Sequence, residues 1–279
     1  MHKTKQLHFC GGLPRAGSTV LMNILQQNPN IFTTGTCALP NILNDVIIKS
    51  RFKESFQAMS INDADSALYG FIKEGTQGWF NALTNKPIVI SKNRSWSSYL
   101  HLFPNAKYIV MIRDIIDVAE SFDRVNYNTK VLHTFDEKLG LVASMTENEK
   151  FHYYFKSSNP LSGTLTFELP KLIERFQQGS KNIIFVKYED LLVDPYKELK
   201  RIYNVLEHPY FEHELNNIQQ SELFEHDHAY FRERTSHVIE SSLIHKKIPE
   251  RKYSKEMQER IIKEHIGFYQ TFYPNKVVN

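Results

Sequence analysis

Short apolar runs alternate with longer amphipathic stretches along the chain. The apolar, β-branched runs predict four buried strands of a parallel sheet, at Leu7–Cys10, Ile88–Ile90, Tyr108–Ile112 and Ile183–Val186. Helical spacing of apolar residues predicts helices at Ser18–Gln27, Asn41–Lys49, Asp65–Leu83, Ile115–Arg124, Leu169–Gln177, Pro195–Leu206 and Lys255–Phe272. Strands that alternate with helices form βαβ units. We therefore expect an α/β fold, with a parallel sheet that carries helices on both faces.

The chain is not divided by an internal repeat or a Gly/Ser-rich linker. Two stretches, at about 126–159 and 207–253, are polar and weakly periodic. We interpret them as insertions in a single domain that spans residues 1–279, and we expect the first to be a surface excursion beside the substrate.

Charge and apolar content exclude several classes of protein. Lys and Arg number 34 against 31 Asp and Glu, a formal charge of +3. This balance argues against nucleic acid as a partner and fits one localised anion site. The apolar runs are shorter than the ~20 residues of a membrane helix, and no charged-then-apolar leader is visible, so we expect no membrane span. With two cysteines only, Cys10 and Cys37, we predict a reducing, cytoplasmic location.

The segment from His8 to Thr19 reads as a strand, a glycine-bearing loop and the start of a helix. Such a loop directs backbone N–H groups and the positive end of the helix at an anion. The alternative is an ordinary strand-turn-helix with an N-cap serine. Because Ser18 and Thr19 add two hydroxyls in the first helical turn, the combination favours phosphate binding.

The cation of this loop distinguishes it from a nucleoside-triphosphatase loop, which reads G-x-x-x-x-G-K-[ST]. Gly12 and Gly17 have that spacing, but Ser18 stands where the lysine would be. The cation is Arg15 instead. This argues against ATP or GTP hydrolysis and favours a ligand whose transferred group is held by the loop arginine.

Three segments resemble the sulfotransferases that use 3′-phosphoadenosine 5′-phosphosulfate (PAPS). Pro14–Thr19 resembles their 5′-phosphosulfate loop. Lys107–Asp114, followed by Ser121, resembles their 3′-phosphate motif, and Phe185–Leu191 resembles their Tyr-Glu-Asp-Leu segment. The order matches, and the resemblance covers residues 8–206. It implies the P-loop-like sulfotransferase fold.

Details of these segments resemble the tyrosylprotein-type and bacterial branch more than the cytosolic small-molecule branch. Arg15 replaces a lysine, and Leu102–Asn105 precedes the second motif. The cytosolic branch carries its catalytic histidine in a Lys-x-His run, which is Lys92-Asn93-Arg94 here. Lys92 matches a lysine that the tyrosylprotein-type branch places at the sulfuryl group.

The resemblance implies a set of site residues. Arg15 and Lys92 are the implied catalytic residues, and the donor-binding residues are Arg15, Ala16, Gly17, Ser18, Thr19, Arg113, Ser121, Tyr188, Ser236 and Lys247. The physical interpretation agrees for Arg113, because an arginine fork at the carboxyl end of a buried strand suits a phosphate. No metal is required, because the protein supplies the cations.

Each of these assignments has a structural alternative. Arg113 and Asp114 can form a local ion pair, Tyr188 can be a core tyrosine, and Lys92 can be a solvated lysine after a strand. We expect Glu189 and Asp190 to be structural, capping the helix that follows.

The general base is left open, and no metal site is predicted. The tyrosylprotein-type branch has a glutamate after the loop arginine, but the corresponding stretch, Thr34–Ala38, contains no carboxylate. The substitutes are Asp45, Asp123 and His101. Four histidines suggest a metal site, but their spacing matches no metal motif, so we interpret them as scattered surface residues: His208, His213, His226 and His228.

We therefore predict an enzyme that transfers a sulfuryl group from PAPS to an acceptor hydroxyl and releases 3′,5′-adenosine bisphosphate (PAP). The acceptor can be a saccharide, a small molecule, a lipid or a peptide tyrosine, and the oligomeric state is left open. Two alternatives are a nucleotide-dependent kinase with a degenerate loop and a non-catalytic PAPS- or PAP-binding protein.

Overall fold

A five-stranded parallel sheet forms the centre of the protein. The computed structural model describes residues 4–128, 142, 144–156, 159–220, 242–243 and 250–277. The strand order is β2-β3-β1-β4-β5. The strands are β1 (Gln6–Gly12), β2 (Ile31–Thr36), β3 (Ile88–Lys92), β4 (Tyr108–Ile112) and β5 (Ile183–Lys187). The four predicted strands are confirmed, and β4 has the predicted bounds.

Strand β2 was not predicted. It holds two apolar residues, Ile31 and Phe32, followed by threonines and a glycine, which is too few for an apolar run. In the described part of the chain it pairs only with β3, and its register shifts between Thr33 and Thr36. The buried Thr33 hydroxyl donates to the Met22 carbonyl at 3.0 Å, so a polar residue is accommodated inside this strand.

The helices follow the predicted order. They are α1 (Ser18–Leu25), α2 (Leu39–Arg51), α3 (Glu54–Gln57), α4 (Ile61–Leu83), α5 (Ile115–Asn128), α6 (Glu147–Phe155), α7 (Pro160–Gly163), α8 (Leu169–Gln177), α9 (Tyr188–Val193), α10 (Pro195–Leu206), α11 (Lys255–Glu264) and α12 (Ile266–Phe272). The described part of the chain also holds two 3₁₀ helices, Arg94–Leu102 and Pro274–Lys276, and one π-helical turn, Thr164–Glu168. The helix predicted over Lys255–Phe272 is divided, because His265 leaves the helical conformation at φ −117° and ψ 35°.

The expectation of a polar surface excursion at 126–159 is wrong for α6. Thr146 and Glu149 form a capping box that starts this helix, and Phe151 and Tyr154 are fully buried in the core. A short helix with only three buried residues gives a weak periodic pattern, which is why the sequence did not indicate it. The buried apolar residues of the described part form one cluster, and the single-domain organisation stays a prediction.

The two faces of the sheet carry different helices at its carboxyl edge. Adjacent residues of a strand point to opposite faces. At the end of β3, the Lys92 ammonium reaches α1, donating to Thr19 at 3.0 Å, whereas the Ser91 hydroxyl meets the 3₁₀ helix, accepting from the Trp96 indole at 3.0 Å. Helices therefore lie on both faces, as predicted.

A crevice is expected between β1 and β4. These strands are neighbours, but the chain leaves β1 toward β2 at one end of the sheet and leaves β4 toward β5 at the other. Open α/β sheets bind ligands at such a switch point, outside the carboxyl ends of the strands. The segments that follow these two strands contain Arg15 and Arg113.

Candidate active site

The loop between β1 and α1 has the conformation that an anion site needs. Gly17 is the N-cap of α1 and makes no side-chain cap, so the first-turn N–H groups receive no side-chain hydrogen bond from that residue. Its φ of +84° favours glycine, and an added Cβ would lie 2.4 Å from the Tyr188 ring. Arg15 is left-handed as well, at φ 59°. Non-glycine residues held in this region are concentrated at functional sites.

Arg113 lies directly against this loop. It is buried, its Nη1 donates to the Arg15 carbonyl at 3.0 Å, and its guanidinium lies 4.7 Å from the centre of the Tyr188 ring. Its Nε is also buried, with no hydrogen-bond partner among the described residues. The Arg15 Nε donates to the Ser121 hydroxyl at 3.4 Å. The structure therefore brings Arg15, Arg113, Ser121 and Tyr188 together.

The alternative of a local Arg113–Asp114 ion pair is wrong. Asp114 is fully buried and accepts instead from Arg251 at 2.6 Å, from the Tyr269 hydroxyl at 2.9 Å and from Lys276. Burial opposes ionisation of Asp114, but the charges of Arg251 and Lys276 outweigh it and lower its pKa. Asp114 thus fixes the C-terminal segment to the end of β4. The Arg113 guanidinium is not paired with Asp114 and contacts the Arg15 loop instead.

Lys92 is not a solvated surface lysine. Its side chain is buried at the end of β3 and donates to Thr19 in the first turn of α1. A buried ammonium that contacts the start of α1 lies next to the group that the phosphate loop would bind.

The residues that follow β5 contact both the loop before α1 and the turn after β4. Tyr188 is buried and contacts both Gly17 and Arg113. It is therefore a core tyrosine and also lies beside the loop. Glu189 accepts from the Asp114 N–H at 3.1 Å and from the Tyr273 hydroxyl at 2.9 Å. Glu189 is structural, as expected, but it supports the turn after β4 and does not cap the helix that follows, because Asp194 caps α10 by accepting from the Lys197 N–H.

A second polar cluster, which sequence reasoning missed, lies on the other face of the sheet. The Tyr108 hydroxyl donates to the Arg94 carbonyl at 3.2 Å, and Arg94 Nη1 donates to the Thr164 hydroxyl at 3.1 Å. Glu168 ends the same π-helical turn that holds Thr164. Burial raises the pKa of Glu168, and the charge of Arg94 opposes that shift. No sequence motif marked Glu168, because a π-helical turn has no pattern that predicts it.

The three substitutes for the missing base differ in their surroundings. Asp123 accepts from Lys150 at 3.0 Å, from the Tyr154 hydroxyl at 2.7 Å and from the Tyr253 hydroxyl at 3.0 Å. It therefore acts as a structural acceptor. Asp45 and His101 are exposed, on α2 and on the first 3₁₀ helix.

Two of the four histidines considered for a metal site, His208 and His213, are described, and they have different partners. His208 Nε2 lies 3.1 Å from His8 Nε2, whereas His213 Nε2 lies 3.1 Å from the Tyr203 hydroxyl. Burial lowers the pKa of His8 to about 3 and that of His213 to about 4. No group of three or more metal-ligating side chains occurs within the described ranges. His226 and His228 lie outside the described residues, as do the predicted donor-binding residues Ser236 and Lys247.

None of the helices in the described part of the chain is both long and apolar enough to cross a membrane.

Comparison with known proteins identifies the family. The model of the "Sulfotransferase family" matches residues 8–212. A putative protein-tyrosine sulfotransferase of Caenorhabditis briggsae is 25% identical over 227 residues, which cover 76% of this chain and 69% of that protein. Protein-tyrosine sulfotransferase A of Caenorhabditis elegans is 25% identical over 230 residues, 78% of this chain and 54% of that protein. The chain thus spans between half and seven tenths of the length of these curated relatives.

A solved structure agrees in fold. A mouse sulfotransferase in complex with PAP has a TM-score of 0.50 at 13% identity, with 98% of this chain and 85% of that chain covered. The predicted fold and the predicted likeness to the tyrosylprotein-type branch are both confirmed. The chain belongs to the sulfotransferase family and is a sulfotransferase, the class of enzyme that moves a sulfuryl group from PAPS to an acceptor hydroxyl.

Proposed function

We propose that the edge of the sheet between β1 and β4 binds PAPS, with the 3′-phosphate held by Arg113 and Ser121. The observation that carries this proposal is the Arg113 guanidinium, which is buried and whose Nε has no partner among the described residues. Burying a guanidinium donor without an acceptor is costly, so an anionic ligand at that atom explains the arrangement.

The 5′-phosphosulfate belongs at the start of α1 under this proposal. The N–H groups from Ala16 to Thr19, with the hydroxyls of Ser18 and Thr19, hold its oxygens. The uncapped start of α1 supports this placement. Tyr188 borders the same site through its contacts with Gly17 and Arg113. Ser236 and Lys247 stay predictions.

Arg15 and Lys92 stabilise the charge that develops during transfer. The acceptor oxygen attacks sulfur, and the bond from sulfur to the bridging oxygen of the 5′-phosphate breaks. Negative charge then grows on that phosphate, and the leaving product is PAP. Like phosphoryl transfer, the reaction depends mostly on positioning and electrostatic stabilisation. The cations that this step needs are supplied by the protein, and Lys92 is held in place by its bond to Thr19.

The acceptor that we propose is a phenolic hydroxyl, and a tyrosine-containing peptide is the first to test. The names of the curated relatives support this choice. A cytoplasmic location is also part of the proposal. Its support is that Cys10 and Cys37 are free thiols and form no disulfide.

Thermal melts with PAP, with ADP and without ligand test the donor site. A ligand at 100 times its dissociation constant adds ~2.7 kcal/mol of stability. We expect PAP to raise the melting temperature clearly more than ADP at the same concentration, because ADP lacks the 3′-phosphate that Arg113 and Ser121 would bind. Equal shifts from PAP and ADP would contradict the 3′-phosphate site and would favour a kinase.

A further inference from the structure

We propose that Glu168 is the general base that accepts the proton of the acceptor hydroxyl. This inference rests on the proposed function, because it concerns the other substrate of the same reaction. No carboxylate occurs at Thr34–Ala38, so the base must come from another part of the chain.

The position of Glu168 places it beside the carboxyl edge of the sheet, on the face opposite α1. Arg94 follows the catalytic Lys92 by two residues, and its Cα would lie 3.2 Å from a Cβ added to Gly11 near the end of β1. Arg94 reaches Thr164 in the π-helical turn that ends at Glu168. Glu168 is thus linked, through Thr164 and Arg94, to the segment that directly follows Lys92 in the chain.

Glu168 is half-buried, and its surroundings differ from those of the buried carboxylates of the described chain. Its Oε2 is buried and has no hydrogen-bond partner among the described residues. The others are engaged by cations or N–H groups: Asp114 by Arg251, Asp117 by Arg251, Glu120 by the N–H groups of Lys252 and Tyr253, and Glu198 by Arg201. A carboxylate oxygen without a donor has its lone pairs available for a proton.

The neighbouring groups cannot act as the base themselves. Arg94 keeps its proton at any working pH, because a guanidinium is not deprotonated in proteins. Tyr108 is fully buried, and burial raises its pKa well above the usual range. Burial also raises the pKa of Glu168, which brings a carboxylate closer to the range that suits general base catalysis near neutral pH.

The step balances without a further reactant. The acceptor O–H bond breaks and its proton moves to a Glu168 oxygen, while the acceptor oxygen forms a bond to sulfur. The bond between sulfur and the 5′-phosphate oxygen breaks, and its electron pair stays on PAP. Glu168 then loses the proton to solvent before the next turnover.

Two phenols that differ in acidity test this role in the chain of 279 residues. Tyrosyl peptides keep their proton at pH 8, whereas 4-nitrophenol ionises near neutral pH and needs little help from a base. We expect Glu168→Gln to lower kcat for a tyrosyl peptide by about 10²–10⁴-fold, and to lower kcat for 4-nitrophenol much less. Glu168→Asp should restore part of the activity. The matched control is Glu174→Gln, an exposed carboxylate on α8, which should leave both rates unchanged.

The pH profile adds a readout that a structural role would not change. For wild type, kcat/KM for the tyrosyl peptide should rise with pH through a limb above the ordinary glutamate range, and Glu168→Gln should lose that limb. Equal losses for both phenols, or unchanged kcat for the peptide, would overturn the assignment. The PAP-induced melting shift of Glu168→Gln should equal that of wild type. Absence of the shift in wild type would instead refute the proposed function, and the assignment with it.

Discussion

The two sides of the carboxyl edge are built differently. On the α1 side, Arg15, Arg113 and Ser121 hold one another, and Lys92 is bonded to Thr19. On the opposite side, one oxygen of Glu168 is buried and has no hydrogen-bond partner in the described part of the chain. Under the proposed function, the first side holds a polyanion with several hydrogen-bond donors, whereas the second accepts one proton. This difference matches the two substrates, because the sulfuryl donor PAPS carries several charges and the acceptor substrate reacts at one hydroxyl.

The largest expected effect comes from Asp114→Asn, which removes the anchor of the C-terminal segment next to Arg113. Asp114 is buried between Arg251 and Lys276, and breaking a buried charge pair costs about 3–5 kcal/mol. We expect the free energy of unfolding, measured by urea denaturation, to fall by that amount. The control is Asp65→Asn, whose partner Arg51 and whose own side chain are largely exposed, and it should cost less than about 1 kcal/mol.

The stability difference between wild type and Asp114→Asn should depend on pH. Because the folded pKa of Asp114 is lowered from 3.8, its stabilisation is present above the ordinary pKa and is lost as the pH falls through the lower folded value. Wild type and Asp114→Asn should therefore converge in stability as the pH falls below about 3.8. A gap that persists undiminished there would contradict the ionised role of Asp114.

Lys92→Ala separates transition-state stabilisation from donor binding. Removal of one preorganised donor costs about 10²–10³-fold in rate, and we expect kcat with a tyrosyl peptide to fall by that factor. PAP affinity, measured by calorimetry, should fall by a much smaller factor than kcat, because PAP keeps the 5′-phosphate near Lys92 but lacks the sulfuryl group. Lys92→Arg should not restore full activity, since a planar fork does not replace a compact ammonium. Wild-type turnover in Lys92→Ala would remove Lys92 from the mechanism.

Gly17→Ala tests how tightly the α1 side is packed. The new Cβ would lie 2.4 Å from the Tyr188 ring at a φ of +84°, so we expect about 1–3 kcal/mol lower stability and weaker PAP binding. Gly78→Ala is the control, because Gly78 lies in α4 with open space around it. That change should stabilise the protein by about 0.5–1 kcal/mol. Unchanged PAP affinity in Gly17→Ala would mean that the loop does not need this close approach.

The α1 side was predicted from the sequence because each of its parts is local. A strand, a loop cation and a helix start lie within a dozen residues, and the bounds of β4, α8 and α10 agree with the apolar pattern. The partners of Asp114 were not predicted, since Arg251 and Lys276 are 137 and 162 residues away along the chain. No periodicity predicts a contact at that separation.

The opposite side was missed for a different reason. Glu168 belongs to a π-helical turn between two helices, and its burial depends on how that turn packs against the sheet. A polar residue in such a place looks like an exposed one in the sequence. The edge strand β2 was missed because threonines occupy places that an apolar pattern would need.

The central claim is that Arg113 recognises the 3′-phosphate of the donor. Calorimetric titration of Arg113→Ala with PAP and with adenosine 5′-phosphosulfate, which lacks that phosphate, tests it most directly. Loss of a charge-assisted contact costs about 1.5–3 kcal/mol. We expect that loss for PAP and nearly unchanged affinity for adenosine 5′-phosphosulfate. Equal losses for the two ligands would contradict the claim and would make Arg113 a structural support of the Arg15 loop.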